Sequence, residues 1–204
     1  MSYDLAFDSL RVDDTVTDWV VSNRGEPLTS IVEALSHLGD TITLTALTVI
    51  VTLGYLIRRH VPEAVLLGLG ALLGTLVMTG LKNLIGRQRP LRPDRLLEIE
   101  SYSFPSGHAM MTMVVFGLVA VTAYRLSPWV REHRWILLLA PLLSIVVGVT
   151  RVYLAVHWTT DVVAGWMFGA LWVTLCVYIF RRVMSSRAPT DPPGGREHVA
   201  AGSE

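Results

Sequence analysis

The chain has 204 residues, 51% of them hydrophobic, and a mean hydropathy of +0.48. These values exclude an ordinary soluble domain, and the length allows a single domain with only a handful of membrane spans. The formal net charge is zero, which excludes the strongly basic balance of a nucleic-acid-binding protein. A single cysteine, Cys176, excludes a disulfide framework and a thiolate metal site.

Residues 1–40 hold eight acidic and two basic residues and no apolar stretch long enough to span a bilayer. Apolar side chains nevertheless recur there at helical spacing: Val16, Trp19, Val20, Leu28, Ile31, Val32, Leu35 and Leu38. This pattern predicts short amphipathic helices on the membrane surface, with packing of these helices against the bundle as the alternative. The start of the chain lacks a basic flank and an apolar core, so we expect no cleavable signal peptide.

Five apolar runs follow, at residues 41–57, 64–81, 107–124, 135–149 and 162–180. Each has about 15–20 residues, enough to cross a bilayer core of about 30 Å as an α-helix. We therefore predict an all-α fold, a polytopic membrane bundle of five transmembrane helices within a domain of residues 41–184. The fourth run is the weakest because it is short and contains Pro141, which is tolerated where neighbouring helices cover the freed carbonyl.

Two further patterns complete the predicted architecture. The glycine pairs Gly70/Gly74 and Gly165/Gly169 are each four residues apart, which predicts close helix packing inside the monomer and gives no prediction of a dimer. Residues 185–204 turn to Pro, Gly, Ser and charge, a composition that predicts a disordered tail.

Three blocks of polar residues stand near the ends of the predicted spans. They are Lys82 followed by Arg89-Pro90, then Pro105-Ser106-Gly107-His108, then Thr150-Arg151 with His157 and Asp161. Lys82 is the only lysine among the 17 basic residues, so a preference for arginine elsewhere makes its retention informative.

Residue chemistry alone assigns these blocks to a phosphate site. Lys82, Arg89 and Arg151 lie at the same ends of three spans, and ammonium and guanidinium groups suit a tetrahedral, multiply charged phosphate. Taken singly, each cation is equally well explained as an interfacial anchor. Their combination with two histidines at these spacings favours the phosphate site.

The histidines predict the reacting groups. If the last helix begins as early as His157, Asp161 shares its face, so the carboxylate can hold one ring nitrogen and leave the other as a nucleophile. His108 opens the third span, where the backbone N–H groups of Ser106 and Gly107 are expected to face an anion at the positive helix end. In the predicted ping-pong hydrolysis, His157 attacks phosphorus and His108 protonates the leaving oxygen.

The three blocks resemble the signature of the type 2 phosphatidic acid phosphatase superfamily, which includes membrane lipid phosphate phosphatases and soluble vanadium haloperoxidases. The match runs from Lys82 to Asp161 and departs at one position, where Thr150 replaces the usual serine. The resemblance implies the same catalytic roles for His157, His108 and Asp161. It also implies that six residues bind the phosphate: Lys82, Arg89, Ser106, Gly107, Thr150 and Arg151.

The resemblance further implies a lipid phosphate substrate, with membrane lipids as the other partners and no metal or cofactor. Polyprenyl (undecaprenyl-type) diphosphate ranks first on the resemblance, and phosphatidylglycerophosphate or phosphatidate is the alternative. A non-catalytic scaffold or transporter is disfavoured because no reacting residue is missing. A haloperoxidase is disfavoured because those relatives are soluble and much longer.

Charge asymmetry predicts the orientation. Nine basic residues fall on one side of the predicted membrane and eight on the motif side, but three of the eight belong to the motif. The remaining nine against five predicts a cell-membrane protein with an extracytoplasmic site and a cytoplasmic C-terminal tail. Trp129, Trp135 and Trp158 are interpreted as interfacial anchors rather than site residues.

Overall fold

The computed structural model describes residues 10–91 and 94–186, and all regular structure within these ranges is helical. The α-helices there are α1 (Arg11–Ser22), α2 (Leu28–Ser36), α3 (Thr41–Ile57), α4 (Val61–Ile85), α5 (Gly107–Leu126), α6 (Pro128–Glu132), α7 (Leu139–Tyr153) and α8 (Thr159–Ser186). Short 3-10 helices cover His37–Gly39 and Arg134–Leu138. Residues 187–204 of the predicted tail lie outside the described residues, while Ser185 and Ser186 belong to α8.

The predicted membrane bundle is confirmed. Within the described ranges, four helical segments are long and apolar enough to cross a membrane: Val61–Ile85, Gly107–Leu126, Arg134–Tyr153 and Thr159–Ser186. A fifth span is formed if Leu28–Gly39 and Thr41–Ile57, which meet at an angle of 44°, are taken together. The protein is therefore an all-α membrane protein, with α3 occupying the same residues as the first predicted span.

Pro141 does not interrupt the fourth span. It is the third residue of α7, and the N–H groups of a first helical turn have no partner within the helix. The preceding segment, Arg134–Leu138, forms a 3-10 helix that adds length to α7. The span also continues to Tyr153, four residues beyond the predicted end.

Helix α5 is central and packs against α4, α7 and α8. A Cβ atom added at Gly165 of α8 would lie 2.8 Å from the carbonyl oxygen of Ser106, and one at Gly169 would lie 2.8 Å from that of Met110. Because the obstacle is backbone, only glycine lets α8 approach α5 this closely. The predicted packing inside the monomer is confirmed, and the N-termini of α5 and α8 lie side by side.

The N-terminal helices pack on the end of the bundle where the site forms. Helix α1 contacts α7 and α8, and α2 contacts α7. Their outer faces keep apolar side chains exposed, with Trp19 67% and Ile31 54% accessible. The inner face of α1 buries Val20 and also Asp13. Bundle packing is thus present, and contact of the outer faces with a membrane surface stays a prediction.

Candidate active site

A cavity of about 1070 Å³ lies between α3, α4 and α5 and reaches the end of the bundle that carries the three polar blocks. Its lining includes Gly107, the three predicted cations Lys82, Arg89 and Arg151, and the two predicted histidines His108 and His157. These side chains come from α4, α5, α7 and the loops that follow α4 and α7. The fold therefore brings together residues that are up to 75 positions apart in the sequence.

His157 lies in the short loop between α7 and α8 and is 2% exposed. Its Nε2 is 3.1 Å from Nη1 of Arg89, and its Nδ1 is 3.4 Å from both Asp161 Oδ2 and Ser103 Oγ. A guanidinium can only donate, so Nε2 is the acceptor and the ring proton lies on Nδ1. Burial, followed by the charges of Arg89 and Lys82, lowers the pKa of His157 well below its usual 6.5. The ring is neutral and presents the Nε2 lone pair.

Asp161 is held by the start of α8. That helix begins at Thr159 and not at His157, so the two side chains do not share a helix face as the sequence analysis supposed. Asp161 is instead the third residue of α8, and its Oδ2 accepts a 3.0 Å hydrogen bond from the N–H of Trp158, as in a capping box. The Ser103 hydroxyl also donates to Oδ2. Trp158, interpreted as an anchor alone, therefore contributes its backbone to the site.

The cations that line the cavity differ in how many of their hydrogen-bond donors already have partners in the protein. Lys82 Nζ donates to the Tyr102 carbonyl at 2.6 Å, and Arg89 donates to carbonyls of the loops around it. Burial and the charge of Arg151 lower the pKa of Arg89 to about 10, so it remains a cation at neutral pH. Arg151 donates from Nη1 to Ser36 Oγ at 2.6 Å. Its buried Nε has no partner among the described residues, which suits an arriving anion.

His108 is the second residue of α5 and is held by the segment that connects α2 to α3. Its Nε2 lies 3.1 Å from Asp40 Oδ1, and the other oxygen of Asp40 lies 2.7 Å from Nδ1 of His37. A Cβ atom at Gly39 would lie 2.7 Å from the ring of His108, so a glycine is needed to seat the ring. His37 is 74% exposed and still contacts this network through Asp40.

The remaining residues predicted to donate hydrogen bonds to phosphate do not all face the cavity. The cavity lining includes Gly107 but neither Ser106 nor Thr150. The Ser106 N–H donates to the Asp161 carbonyl at 3.0 Å and is not free for an anion, contrary to expectation. The Thr150 hydroxyl donates to the Val147 carbonyl at 2.6 Å, a bond within its own helix.

Four residues that contact the reacting groups directly or through one partner were not identified from the sequence: Asp13, Asp40, Arg87 and Ser103. Arg87 lies inside the first block, and its position two residues before Arg89 was an available signal. Asp13 shares a helix face with Thr17 and Val20, and an acid on the inner face of an amphipathic helix was a second signal. Asp40 and Ser103 lie in connecting segments and carry no such pattern.

Within residues 10–91 and 94–186, no group of three His, Cys, Asp or Glu side chains is arranged to hold a metal ion. Positive charge at the site comes from the lysine and arginine side chains. A neutral histidine beside a carboxylate and several cations fits the class of enzymes that bind and transfer phosphate groups.

Comparisons with known proteins agree with this class. The sequence model of the PAP2 superfamily matches residues 63–185, and the chain belongs to that superfamily. Phosphatidylglycerophosphatase B of Bacillus subtilis (strain 168) is 32% identical over 161 residues, which cover 78% of each chain. The crystal structure of the transmembrane PAP2-type phosphatidylglycerolphosphate phosphatase from Bacillus subtilis has a TM-score of 0.79 at 30% identity, covering 84% of this chain and 85% of that one.

Other relatives match over a smaller part of the chain or at lower identity. An undecaprenyl-diphosphatase of Sulfolobus acidocaldarius is 36% identical over 98 residues, which cover 46% of this chain and 43% of the relative. A decaprenylphosphoryl-5-phosphoribose phosphatase of Mycolicibacterium smegmatis is 33% identical over 136 residues, covering 65% and 68%. LpxE of Aquifex aeolicus has the same fold, with a TM-score of 0.69 at 18% identity over 85% of this chain and 99% of that one. The protein is thus a membrane phosphatase of the PAP2 superfamily.

Proposed function

We propose that this phosphatase removes phosphate from a lipid phosphate or diphosphate through a phosphohistidine on His157, with polyprenyl (undecaprenyl-type) diphosphate as the first candidate substrate. The observation that carries the proposal is the continuity between the cationic site and a long cavity within the membrane domain. The phosphate end would lie among the cations and the tail would lie in the cavity.

The geometry supports a two-step reaction. Nε2 of His157 attacks phosphorus and forms the N–P bond as the bond to the leaving oxygen breaks, while His108 supplies the proton to that oxygen. Lys82, Arg89 and Arg151 stabilise the charge on the non-bridging oxygens. A water molecule then attacks the phosphohistidine with His108 as base, which releases phosphate and restores neutral His157. No step requires a metal.

The cavity suits a lipid tail in length and in lining. It runs between α3 and α4 and is bordered in α4 by residues from Gly68 to Lys82 and Asn83. Gly68 and Lys82 are 14 positions apart, about 21 Å along a helix axis, which exceeds half of a bilayer core of about 30 Å. Leu44, Leu53 and Leu72 supply apolar wall, whereas Thr45, Thr48 and Thr52 form a hydroxyl row on α3.

The relatives support two substrate classes. The names of the Sulfolobus and Mycolicibacterium relatives refer to polyprenyl phosphates, which favours the first candidate. The Bacillus subtilis relatives act by name on phosphatidylglycerophosphate and match over more of the chain, which favours that lipid as the second candidate.

Phosphate release by the purified full chain in detergent tests the proposal directly. The panel contains undecaprenyl diphosphate, farnesyl diphosphate, phosphatidylglycerophosphate and phosphatidate, with His157→Ala as the inactive control. We expect the highest kcat/KM with a polyprenyl diphosphate. Preference for phosphatidylglycerophosphate would select the second candidate, and no release from any lipid in the panel would contradict the proposed function.

We also propose that the site lies on the extracytoplasmic side. The charge asymmetry of the sequence supports this proposal, with nine basic residues on the opposite side of the membrane and five outside the motif on this side.

Cysteine labelling in intact cells tests this sidedness. In a Cys176→Ala background, Glu98→Cys near the site and Glu132→Cys at the opposite end each place a thiol at an exposed position. An impermeant maleimide should label Glu98→Cys from outside and Glu132→Cys only after permeabilisation. The reverse pattern would place the site in the cytoplasm and leave its chemistry unchanged.

A further inference from the structure

A buried chain of ionic contacts joins the N-terminal helix to the reacting histidine. Nη2 of Arg87 lies 2.7 Å from Asp13 Oδ2, and Nη1 lies 2.6 Å from Asp161 Oδ1. The side chain of Arg87 is 5% exposed and both carboxylates are fully buried. One guanidinium therefore bridges a carboxylate of α1 and a carboxylate of α8. A charged group this deeply buried is costly unless it is paired, and here both Nη atoms of Arg87 are paired while its Nε has no partner among the described residues.

Asp13 is fixed from several directions. The backbone N–H of Thr160 donates to its Oδ1 at 2.9 Å, and the Thr160 hydroxyl donates to its Oδ2 at 2.7 Å. Burial alone would raise the pKa of Asp13, but hydrogen bonds from Thr160 and Arg87 lower it below the usual 3.8. Asp13 is therefore ionised at neutral pH. Its hydrogen bonds hold Thr160, the residue in the first turn of α8 that immediately precedes Asp161.

The two oxygens of Asp161 face different partners. Oδ2 accepts from Ser103 and from the N–H of Trp158 and lies 3.4 Å from Nδ1 of His157. Among the described residues, the hydrogen bond to Oδ1 comes from Arg87. If Arg87 were lost or misplaced, this buried oxygen would lack its partner, and the carboxylate would no longer be held with Oδ2 toward the histidine.

We propose that Asp13 and Arg87 are positioning residues that set the orientation of Asp161 and, through it, of His157. Helix α1 is then a working part of the active site as well as an amphipathic segment. This inference rests on the proposed phosphohistidine chemistry, because an oriented His157 matters only if that ring reacts. It predicts an effect on the rate of the chemical step rather than on substrate binding, since neither residue borders the cavity.

Variants of the full chain that each remove one charge test the proposal. Asp13→Asn and Arg87→Gln should each lower kcat by roughly 10- to 100-fold, as expected for partners of a directly acting group, with KM changed by less than about threefold. Arg87→Lys keeps the charge but loses the planar fork, so its kcat should lie between those of Arg87→Gln and the wild type. The matched control is Asp14→Asn, which neutralises an exposed acid of the same helix and should leave kcat unchanged.

A double-mutant cycle separates positioning from general structural support. If Asp13 acts through Asp161, adding Asp13→Asn to Asp161→Asn should lower the single-turnover rate by less than about twofold. If the loss in rate of the double variant equals the product of the two single-variant losses, Asp13 acts independently of Asp161 and the proposal is overturned. Wild-type kcat in a folded Asp13→Asn would overturn it as well.

The substrate for these measurements is the panel lipid with the highest wild-type kcat/KM. Wild-type turnover then tests the proposed function, and the ratio of variant to wild type tests the positioning role separately. If Asp13→Asn does not fold in detergent, Thr160→Val provides the test, because it keeps the side-chain shape and removes the hydroxyl that donates to Asp13 and accepts from Arg87. A reduced kcat at constant KM in Thr160→Val supports the proposal, and an unchanged kcat contradicts it.

Discussion

Nη1 of Arg89 lies 3.1 Å from Nε2 of His157 and donates toward it. This contact fixes the lone pair of the histidine on the side of the ring where the cations converge, and the ring proton points toward Asp161 and Ser103. A phosphate oxygen bound by Arg89 would therefore lie beside the nitrogen that we propose as the nucleophile. The same guanidinium defines the tautomer of the ring and would also position the substrate.

The dependence of kcat/KM on pH should report this contact. His157 reacts only when neutral, so its contribution is lost as the pH falls through its pKa, which burial and the charges of Arg89 and Lys82 keep well below 6.5. Arg89→Gln removes one of these charges and should move the acidic limb of kcat/KM to higher pH, besides lowering its value roughly 10²–10³-fold. Arg11→Gln, which removes an exposed charge from α1, is the control. An acidic limb at the same pH in Arg89→Gln and wild type would contradict the assignment.

Gly39→Ala tests the seat of His108. The added Cβ would lie 2.7 Å from Cδ2 of His108 and 2.6 Å from Cγ1 of Val147, so the imidazole must move away from Asp40. A displacement of about 1 Å at a reacting group can lower the rate roughly 10²-fold, and we expect a loss in kcat of that order. Gly54→Ala is the control because an added Cβ meets nothing within 4 Å there. Equal kcat values for the two variants would show that His108 does not need this position.

Gly68→Leu tests the tail cavity at a distance from the reacting groups. A Cβ at Gly68 meets only Thr52 at ordinary contact distances, so the larger side chain would extend into the cavity between α3 and α4. We expect a lower kcat/KM for undecaprenyl diphosphate and an unchanged value for farnesyl diphosphate, whose tail is shorter. Gly80→Leu adds the same side chain to an exposed position of α4 and should affect neither substrate. Equal losses with both substrates would indicate that the cavity does not hold the tail.

Activity should persist in excess chelator because the cations of the site are side chains. Vanadate should inhibit competitively, since its five-coordinate form resembles the transition state of phosphoryl transfer. The acids Asp94, Glu98 and Glu100 are the nearest alternative metal ligands in sequence, and their replacement by amides should leave turnover unchanged. Loss of activity in chelator with recovery in magnesium would contradict this prediction.

The positions of the spans were predictable because a bilayer imposes a minimum apolar length on every crossing helix. Residues 41–57 became α3 without adjustment, and the fourth predicted run became a span whose exact ends, a 3-10 start at Arg134 and an end at Tyr153, depend on neighbouring segments. The convergence of Lys82, Arg89 and Arg151 was likewise predictable, since all three were placed at the same end of the bundle.

The contacts that orient these groups were not predictable from spacing. Asp13 and Arg87 are 74 positions apart, and their pairing depends on how α1 docks against the first turn of α8. Asp40 reaches His108 only because α2 and α3 meet at the mouth of the site. The pairing of His157 with Asp161 was anticipated, but it arises from a helix cap that forms at Trp158 rather than from a shared helix face.

The proposed mechanism requires that Nε2 of His157 becomes phosphorylated during turnover. The most direct measurement is rapid acid-free quenching of the wild type with a ³²P-labelled substrate, followed by peptide mapping of the protein-bound label. We expect a base-stable, acid-labile label on the peptide that contains His157, its absence in His157→Ala, and formation slowed roughly 10³-fold or more in Asp161→Asn. Label on another residue, or wild-type turnover by His157→Ala, would contradict the account.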